Sequence, residues 1–225
     1  MADSGMADRA EVSQFLSVHI LLPEAVDRRL ARWAEDVQGA SWPAWGGHIT
    51  LVPRFVPRGS SEEVRAIIEQ ICLEHEPFRV RFTEPVAAQD PTRPDYFAVL
   101  LNVEIVDPPA SGSNEAMPDG ESVEDGQNSR LHQLRRQLLA ALEPLREDMM
   151  PQLVQGPYMP HVTLALGVSE SEARVVVRKM RADSINAEFQ VDVIWLLTQF
   201  AGQSDKFERQ AIPLGRVSPV EFRRD

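Results

Sequence analysis

Two short stretches of this 225-residue chain carry side chains whose types and spacing could do chemistry: Gly46-Gly47-His48-Ile49-Thr50-Leu51 and Met159-Pro160-His161-Val162-Thr163-Leu164. In an extended strand, residues two apart share a face. His48 therefore points with Thr50, and His161 with Thr163, while Ile49, Leu51, Val162 and Leu164 turn to the opposite side. An imidazole of ordinary pKa takes or gives a proton near neutrality, and a threonine hydroxyl can donate to an oxyanion. Two such pairs converging across a groove suit displacement at phosphorus. One histidine removes a proton from the attacking group and the other protonates the departing oxygen. No third ligand stands at a recognisable spacing for zinc, so the expected chemistry uses no metal and no cofactor.

A single His-x-Thr in a strand is ordinarily no more than a satisfied polar residue; the pair, in matching surroundings, carries the catalytic reading. Arg54 shares strand parity with His48 and is a candidate contact for a phosphate or ribose, although Pro53 could break the strand before it. Tyr96, Phe97, Trp42 and Trp45 offer faces on which a base could stack, with core packing the simpler role for Phe97 and loop anchoring for the tryptophans. His19 falls on the strand face away from the core, where a structural or partly exposed role is expected. His75 and His132 sit at helix ends and read as surface residues. Tyr158 has the opposite parity from His161 and reads as structural. Arg174, Arg178, Lys179 and Arg181 read as one solvated helix face.

The composition, 43% hydrophobic and 25% charged, is that of a globular protein. No apolar run approaches the roughly 20 residues of a bilayer span. The small, acidic stretch Met1–Glu11 lacks the pattern of a secretory signal and reads as a disordered tail. The one cysteine, Cys72, lies among Val64, Ile67, Ile68 and Ile71 at helical spacing, as a core thiol would. The net charge of −11 argues against gripping a long nucleic acid. Seven of the 34 acids lie between Glu104 and Ser129, however, where there is no Lys or Arg. That leaves 27 acids against 23 bases, a body near neutrality that suits a nucleotide or a short RNA end.

Around the motifs the apolar periodicity predicts a strand at 13–22, a helix at 23–38, the strand at 48–55 and a Ser60-capped helix to about residue 76. Strands at 78–86 and 96–106 follow. Residues 107–128, rich in Pro, Gly, Ser and acids, read as a mobile, disordered insert. Beyond it the order recurs: a helix at 129–145, a loop with Pro151, Gly156 and Pro157, and the strand at 159–168. A Ser169-capped helix and strands at 188–200 and 206–214 complete the chain. Both halves thus run helix, His-x-Thr strand, helix, strand, strand. The recurrence predicts an α+β fold of two pseudo-symmetric lobes of antiparallel sheet plus helices around a central groove, lobe one at about 12–106 and lobe two at about 129–215.

The paired motifs resemble the signature of the two-histidine phosphoesterase superfamily, which includes 2′-5′ RNA ligase-like proteins and 2′,3′-cyclic nucleotide phosphodiesterases. Ser17-Val18-His19-Ile20-Leu21-Leu22-Pro23 is similar to the family's opening strand. Tyr96-Phe97-Ala98-Val99 and Tyr158-Met159-Pro160-His161-Val162-Thr163-Leu164 look closest to the small fungal and plant cyclic nucleotide phosphodiesterases. The acidic insert and Val52-Pro53 depart from the fungal pattern. The resemblance implies a bilobal fold with His48, Thr50, His161 and Thr163 at its centre. It further implies opening of 2′,3′-cyclic phosphates to 2′-phosphates, with ADP-ribose 1″,2″-cyclic phosphate from tRNA splicing as a further substrate. RNA end-processing or ligation is the alternative within the superfamily, and a non-catalytic nucleotide-binding scaffold the alternative outside it. A cytoplasmic monomer is expected; the resemblance to fungal members adds Golgi association as the other compartment.

Overall fold

The computed structural model describes residues 14–90, 93–106, 130–203 and 206–215; the acidic stretch read as an insert lies outside them. The chain opens with strand β1 (Gln14–Leu21), whose Leu16, Val18 and Ile20 are buried, and helix α1 (Glu24–Glu35). Strand β2 (His48–Pro57) and helix α2 (Ser61–Cys72) follow, then the long hairpin β3 (Phe78–Asp90) and β4 (Arg93–Ile105). Ser60 caps α2 by accepting from the Glu63 amide, and α2 buries Cys72 as expected, pushing its thiol pKa up to about 12. After residue 130 come α3 (Arg130–Leu142), the short strand β5 (Arg146–Asp148) and the short helix α4 (Pro151–Gln155). The sequence reading has only a loop at α4; Pro151 in the first turn starts the helix there. Strand β6 (His161–Val168) leads into α5 (Glu170–Asp183), where Ser169 and Glu172 complete a reciprocal capping box.

Residues 188–200 form two strands, β7 (Glu188–Val191) and β8 (Val193–Phe200), where the apolar pattern predicts one; β9 (Phe207–Pro213) closes the chain. Asp192 alone separates β7 from β8, and nothing in local propensity marks that break. The two pieces go to opposite parts of one antiparallel sheet of order β7-β3-β4-β6-β2-β1-β8-β9, with β5 added to β2. Five strands thus stand between β7 and β8, roughly 29 Å in a flat sheet at about 4.8 Å per strand. One residue cannot span that distance. The sheet therefore curls until its two ends approach, which turns one face into a concave groove and leaves the other to the helices.

The structure is α+β, as expected, but the halves of the sheet do not coincide with the halves of the sequence. β1 and β2 pair with β8 and β9, from the end of the chain, while β3 and β4 pair with β6 and β7. Each half of the sheet thus draws strands from both sides of residues 107–128. Apart from β5, the chain passes into the second half between β2 and β3 and returns to the first between β7 and β8. Helix α5 packs on β3, β4 and β6 and receives α1 through a Trp33 Nε1 to Asp183 Oδ2 bond of 2.8 Å; α2 and α3 cover β2 and β9. Among the described residues no helix is long and apolar enough to cross a membrane.

The interleaving has a direct consequence. A chain cut between Val106 and Arg130 leaves β2 and β1 without β8, and β4 without β6, so neither fragment should fold alone. Circular dichroism of each fragment should show little ordered structure, with recovery only on mixing; an independently folded 1–106 fragment would contradict the topology.

Candidate active site

β2 and β6 meet at a single recorded ladder pair, Ile49 with Val162. Antiparallel pairing about that point sets His48 opposite Thr163 and Thr50 opposite His161. Because Ile49 and Val162 are buried on the helix side, all four polar side chains emerge, half-buried, on the groove side. Diagonal neighbours across such a pair stand roughly 7–8 Å apart at Cα, close enough for two imidazoles to meet one phosphate. The sequence-predicted quartet is thus brought together. Neither threonine hydroxyl bonds a protein group among the described residues, so both can donate to a ligand.

The two rings are held in the same manner. His48 Nδ1 lies 3.0 Å from the Gly46 carbonyl and His161 Nδ1 2.7 Å from the Met159 carbonyl, in each case two residues upstream. A carbonyl only accepts, so each Nδ1 carries the proton and each Nε2 keeps its lone pair. Trp45 Nε1 also approaches His48 Nδ1 at 3.2 Å, but two N–H groups cannot bond one another, so the indole is a packing neighbour.

The loop before β2 is built around Asp27 of α1, which the sequence reading overlooks. Its Oδ1 accepts from the Gly47 amide at 2.6 Å and from Trp42 Nε1 at 3.0 Å. Gly46 has φ of +94°, and a Cβ at Gly47 would lie 2.3 Å from Trp42 Cζ2, so the Gly-Gly pair is required by conformation at one position and by space at the other. On the second side Tyr158 donates its hydroxyl to the Thr50 carbonyl at 2.9 Å, with the Arg135 guanidinium 4.2 Å from its ring centroid. Tyr158 is therefore structural, as its parity suggests, and ties the two motifs together.

His19 is buried, 5% exposed, with its ring centroid 4.6 Å from that of His48 and edge-on to it. Its Nε2 bonds the Ser17 hydroxyl at 2.8 Å, while its Nδ1 is buried without a partner among the described residues. Arg54 extends on the same side, 5.9 Å from the Phe15 ring centroid and near enough to His19 to depress its pKa. Tyr96 is not part of this cluster. It lies six residues along β4 from Asn102, the partner of His161, or about 20 Å at strand rise. Its ring instead meets the Arg93 guanidinium at 4.8 Å. Phe97 packs on the core and Trp42 anchors its loop, as expected. His75 and His132 are corrected: His75 is buried and bonded to Gln137, and His132 is partly buried with its Nε2 3.2 Å from the Tyr158 carbonyl oxygen. The α5 cations lie outside the groove, with Arg174 paired to Glu170, Lys179 to Asp183 and Arg181 to Glu84.

The sequence profile of the 2′-5′ RNA ligase superfamily matches residues 22–203, most of the chain and both motifs. The chain belongs to the 2′-5′ RNA ligase superfamily. This is a superfamily of phosphoesterases and ligases, which makes its member an enzyme of that broad kind. Among solved structures, Escherichia coli LigT complexed with 3′-AMP is similar at 16% identity and a TM-score of 0.48, covering 91% of this chain and 99% of LigT. Kluyveromyces marxianus Usb1 with uridine monophosphate is similar at 13% identity and a TM-score of 0.46, covering 90% of this chain and 99% of Usb1. No curated protein matches the sequence.

Within this superfamily member the three groove imidazoles are poised as neutral groups. Burial lowers the pKa of His48 below the ordinary 6.5; His161 adds to the fall, and the Gly46 carbonyl and Asp27 oppose it. Burial likewise lowers His161, against the Met159 carbonyl. His19 is lowered too, through burial first and then His48 and Arg54. Ring-proton NMR across a pH titration should accordingly place the midpoints of His19, His48 and His161 all below 6.5. A midpoint above 6.5 for any of the three would contradict this electrostatic picture.

Proposed function

We propose that the protein opens nucleoside 2′,3′-cyclic phosphates to 2′-phosphates by metal-independent general acid–base catalysis. The reading rests on one observation: two His/Thr pairs face one groove about the Ile49–Val162 pair with both Nε2 atoms unprotonated and both Nδ1 atoms held by carbonyls. A phosphate between them receives hydrogen bonds on its non-bridging oxygens from Thr50 and Thr163. One neutral imidazole takes a proton from water as the water oxygen bonds to phosphorus. The other, protonated, gives its proton to the ribose 3′-oxygen as the P–O3′ bond breaks. The products are the 2′-phosphate and a pair of histidines whose protons have exchanged places. A scaffold that only bound nucleotides would not need two rings oriented for proton transfer. ADP-ribose 1″,2″-cyclic phosphate and RNA ends present the same reacting group and belong on the same substrate panel.

His48→Ala and His161→Ala should each lower kcat by about 10²- to 10⁴-fold on a 2′,3′-cyclic nucleotide, with an unchanged melting profile and with wild-type activity undiminished by excess chelator. Near-normal turnover in either variant, or zinc-restorable loss after chelation, would rule the mechanism out.

The pH dependence follows from the histidines' lowered pKa values. In the free protein the singly protonated pair is most populated on the acid side of 6.5, so kcat/KM should peak there and fall as pH rises. A bound phosphodiester favours the imidazolium, so the kcat profile should lie at higher pH than the kcat/KM profile. Rates measured between about pH 5 and 8 check both the peak and the order of the two curves.

A further inference from the structure

The turn that leads into β6 presents three carbonyls in succession, and each of them is held. Tyr158 accepts from His132 Nε2 of α3 at 3.2 Å, Met159 from His161 Nδ1 at 2.7 Å, and Pro160 from the Val103 amide at 2.9 Å. A carbonyl only accepts, so His132 carries a proton on Nε2. Met159 is the middle member and the one that orients the His161 ring. Its own side chain is 52% exposed, so packing does not anchor it, and its carbonyl is placed by what holds the residues on either side. On one side Pro160 restricts Met159 to an extended conformation. On the other, α3 grips Tyr158. The His132 ring stands edge-on to the phenol with centroids 5.3 Å apart, and Arg135, one turn along the helix, sets its guanidinium 4.2 Å from the centre of the same ring.

The first motif is anchored by different means. Under the local two-fold about Ile49 and Val162, Gly47 corresponds to Pro160, and its carbonyl accepts from the Leu22 amide at 3.0 Å as that of Pro160 accepts from Val103. The Gly47 amide is in turn the group that Asp27 holds. Proline has no amide hydrogen, so the carboxylate anchor has no counterpart ahead of His161. The side chains of α3 stand in its place.

We infer that His132 is a positioning residue for His161: its Nε2–H pins the peptide between Tyr158 and Met159 and so keeps the Met159 carbonyl on His161 Nδ1. His161 Nε2 thereby keeps its lone pair. The consequence for turnover rests on the cyclic phosphodiesterase reading, whereas the consequence for the tautomer of the ring does not.

Two substitutions separate the donor from the ring. His132→Phe keeps an aromatic ring against Tyr158 and removes the N–H; His132→Gln keeps an N–H donor and removes the ring. Heteronuclear NMR of the imidazole nitrogens, in the free protein at a pH above their titration, should show His161 as the Nδ1–H tautomer in the wild type and in His132→Gln. In His132→Phe a substantial share of the Nε2–H tautomer should appear, with His48 unchanged throughout. On adenosine 2′,3′-cyclic phosphate, kcat should fall about 10- to 100-fold in His132→Phe with KM little altered, and return toward the wild-type value in His132→Gln. An unchanged His161 tautomer in His132→Phe would overturn the assignment. So would an equal loss in both variants, which would mark a packing role. If the wild type turns over no cyclic phosphate, it is the phosphodiesterase reading that fails, and the tautomer comparison still decides the role of His132.

Discussion

One backbone pairing governs the rest of this structure, the antiparallel meeting of β2 and β6 at Ile49 and Val162. Two antiparallel strands are related locally by a two-fold axis, so similar sequences laid on either side must present similar side chains with opposite sense. The sheet also limits how much of each strand is polar. A register shift follows Thr50 in β2 and another follows Thr163 in β6, so that Leu51 with Val52, and Leu164 with Ala165, are buried in succession. Each bulge ends the alternation after one histidine and one threonine. It also increases local twist, which helps the sheet to curl about its reactive centre.

The backbone also decides the electrostatics. Each histidine ring of the quartet is oriented by a carbonyl rather than by a carboxylate, so orientation comes without a negative charge that would repel an anionic ligand. Asp27, the nearest acid recorded as acting on His48, spends an oxygen on the Gly47 amide and the Trp42 indole and so serves the loop more than the ring. Burial then lowers the pKa of the resting histidines, and under the proposed chemistry an anionic substrate would favour the imidazolium. The buried Nδ1 of His19, left unpaired at a cost of about 1–3 kcal/mol, shows how far polar satisfaction is relaxed beneath the site.

The quartet was legible in the sequence because its determinant is local: a period of two, an apolar residue between His and Thr, and a Gly- or Pro-containing loop ahead. Arg54 was placed on the correct side although β2 does not alternate throughout; two register shifts intervene and restore the parity that one would have reversed. Asp27 was not legible, since its role depends on a loop that brings it against Gly47 from 20 residues away. The division at Asp192 was hidden for a related reason. Glu188–Phe200 is locally one strand, and only the partners waiting at β3 and β1 separate it into two. Those partners also separate the repeat from the sheet: the recurrence records the order of elements, whereas the sheet records their exchange.

The exchange has a chemical consequence. Because β8 and β9 return to the half that holds His48, the surroundings of the two histidines come from different parts of the chain and are free to diverge while the motifs stay matched. His48 is flanked by His19, Trp45 and, beyond β1, Trp195. His161 is flanked by Asn102, whose Oδ1 is buried without a partner among the described residues, and further along by the Arg81–Glu104 and Arg79–Glu188 ion pairs. A symmetric pair of acid–base groups would bind a cyclic phosphate equally well in two orientations, with the roles of the two histidines exchanged. Under the proposed chemistry unequal flanks remove that degeneracy, so the same fold that duplicates the His/Thr pairs also supplies an asymmetry by which a substrate would be oriented.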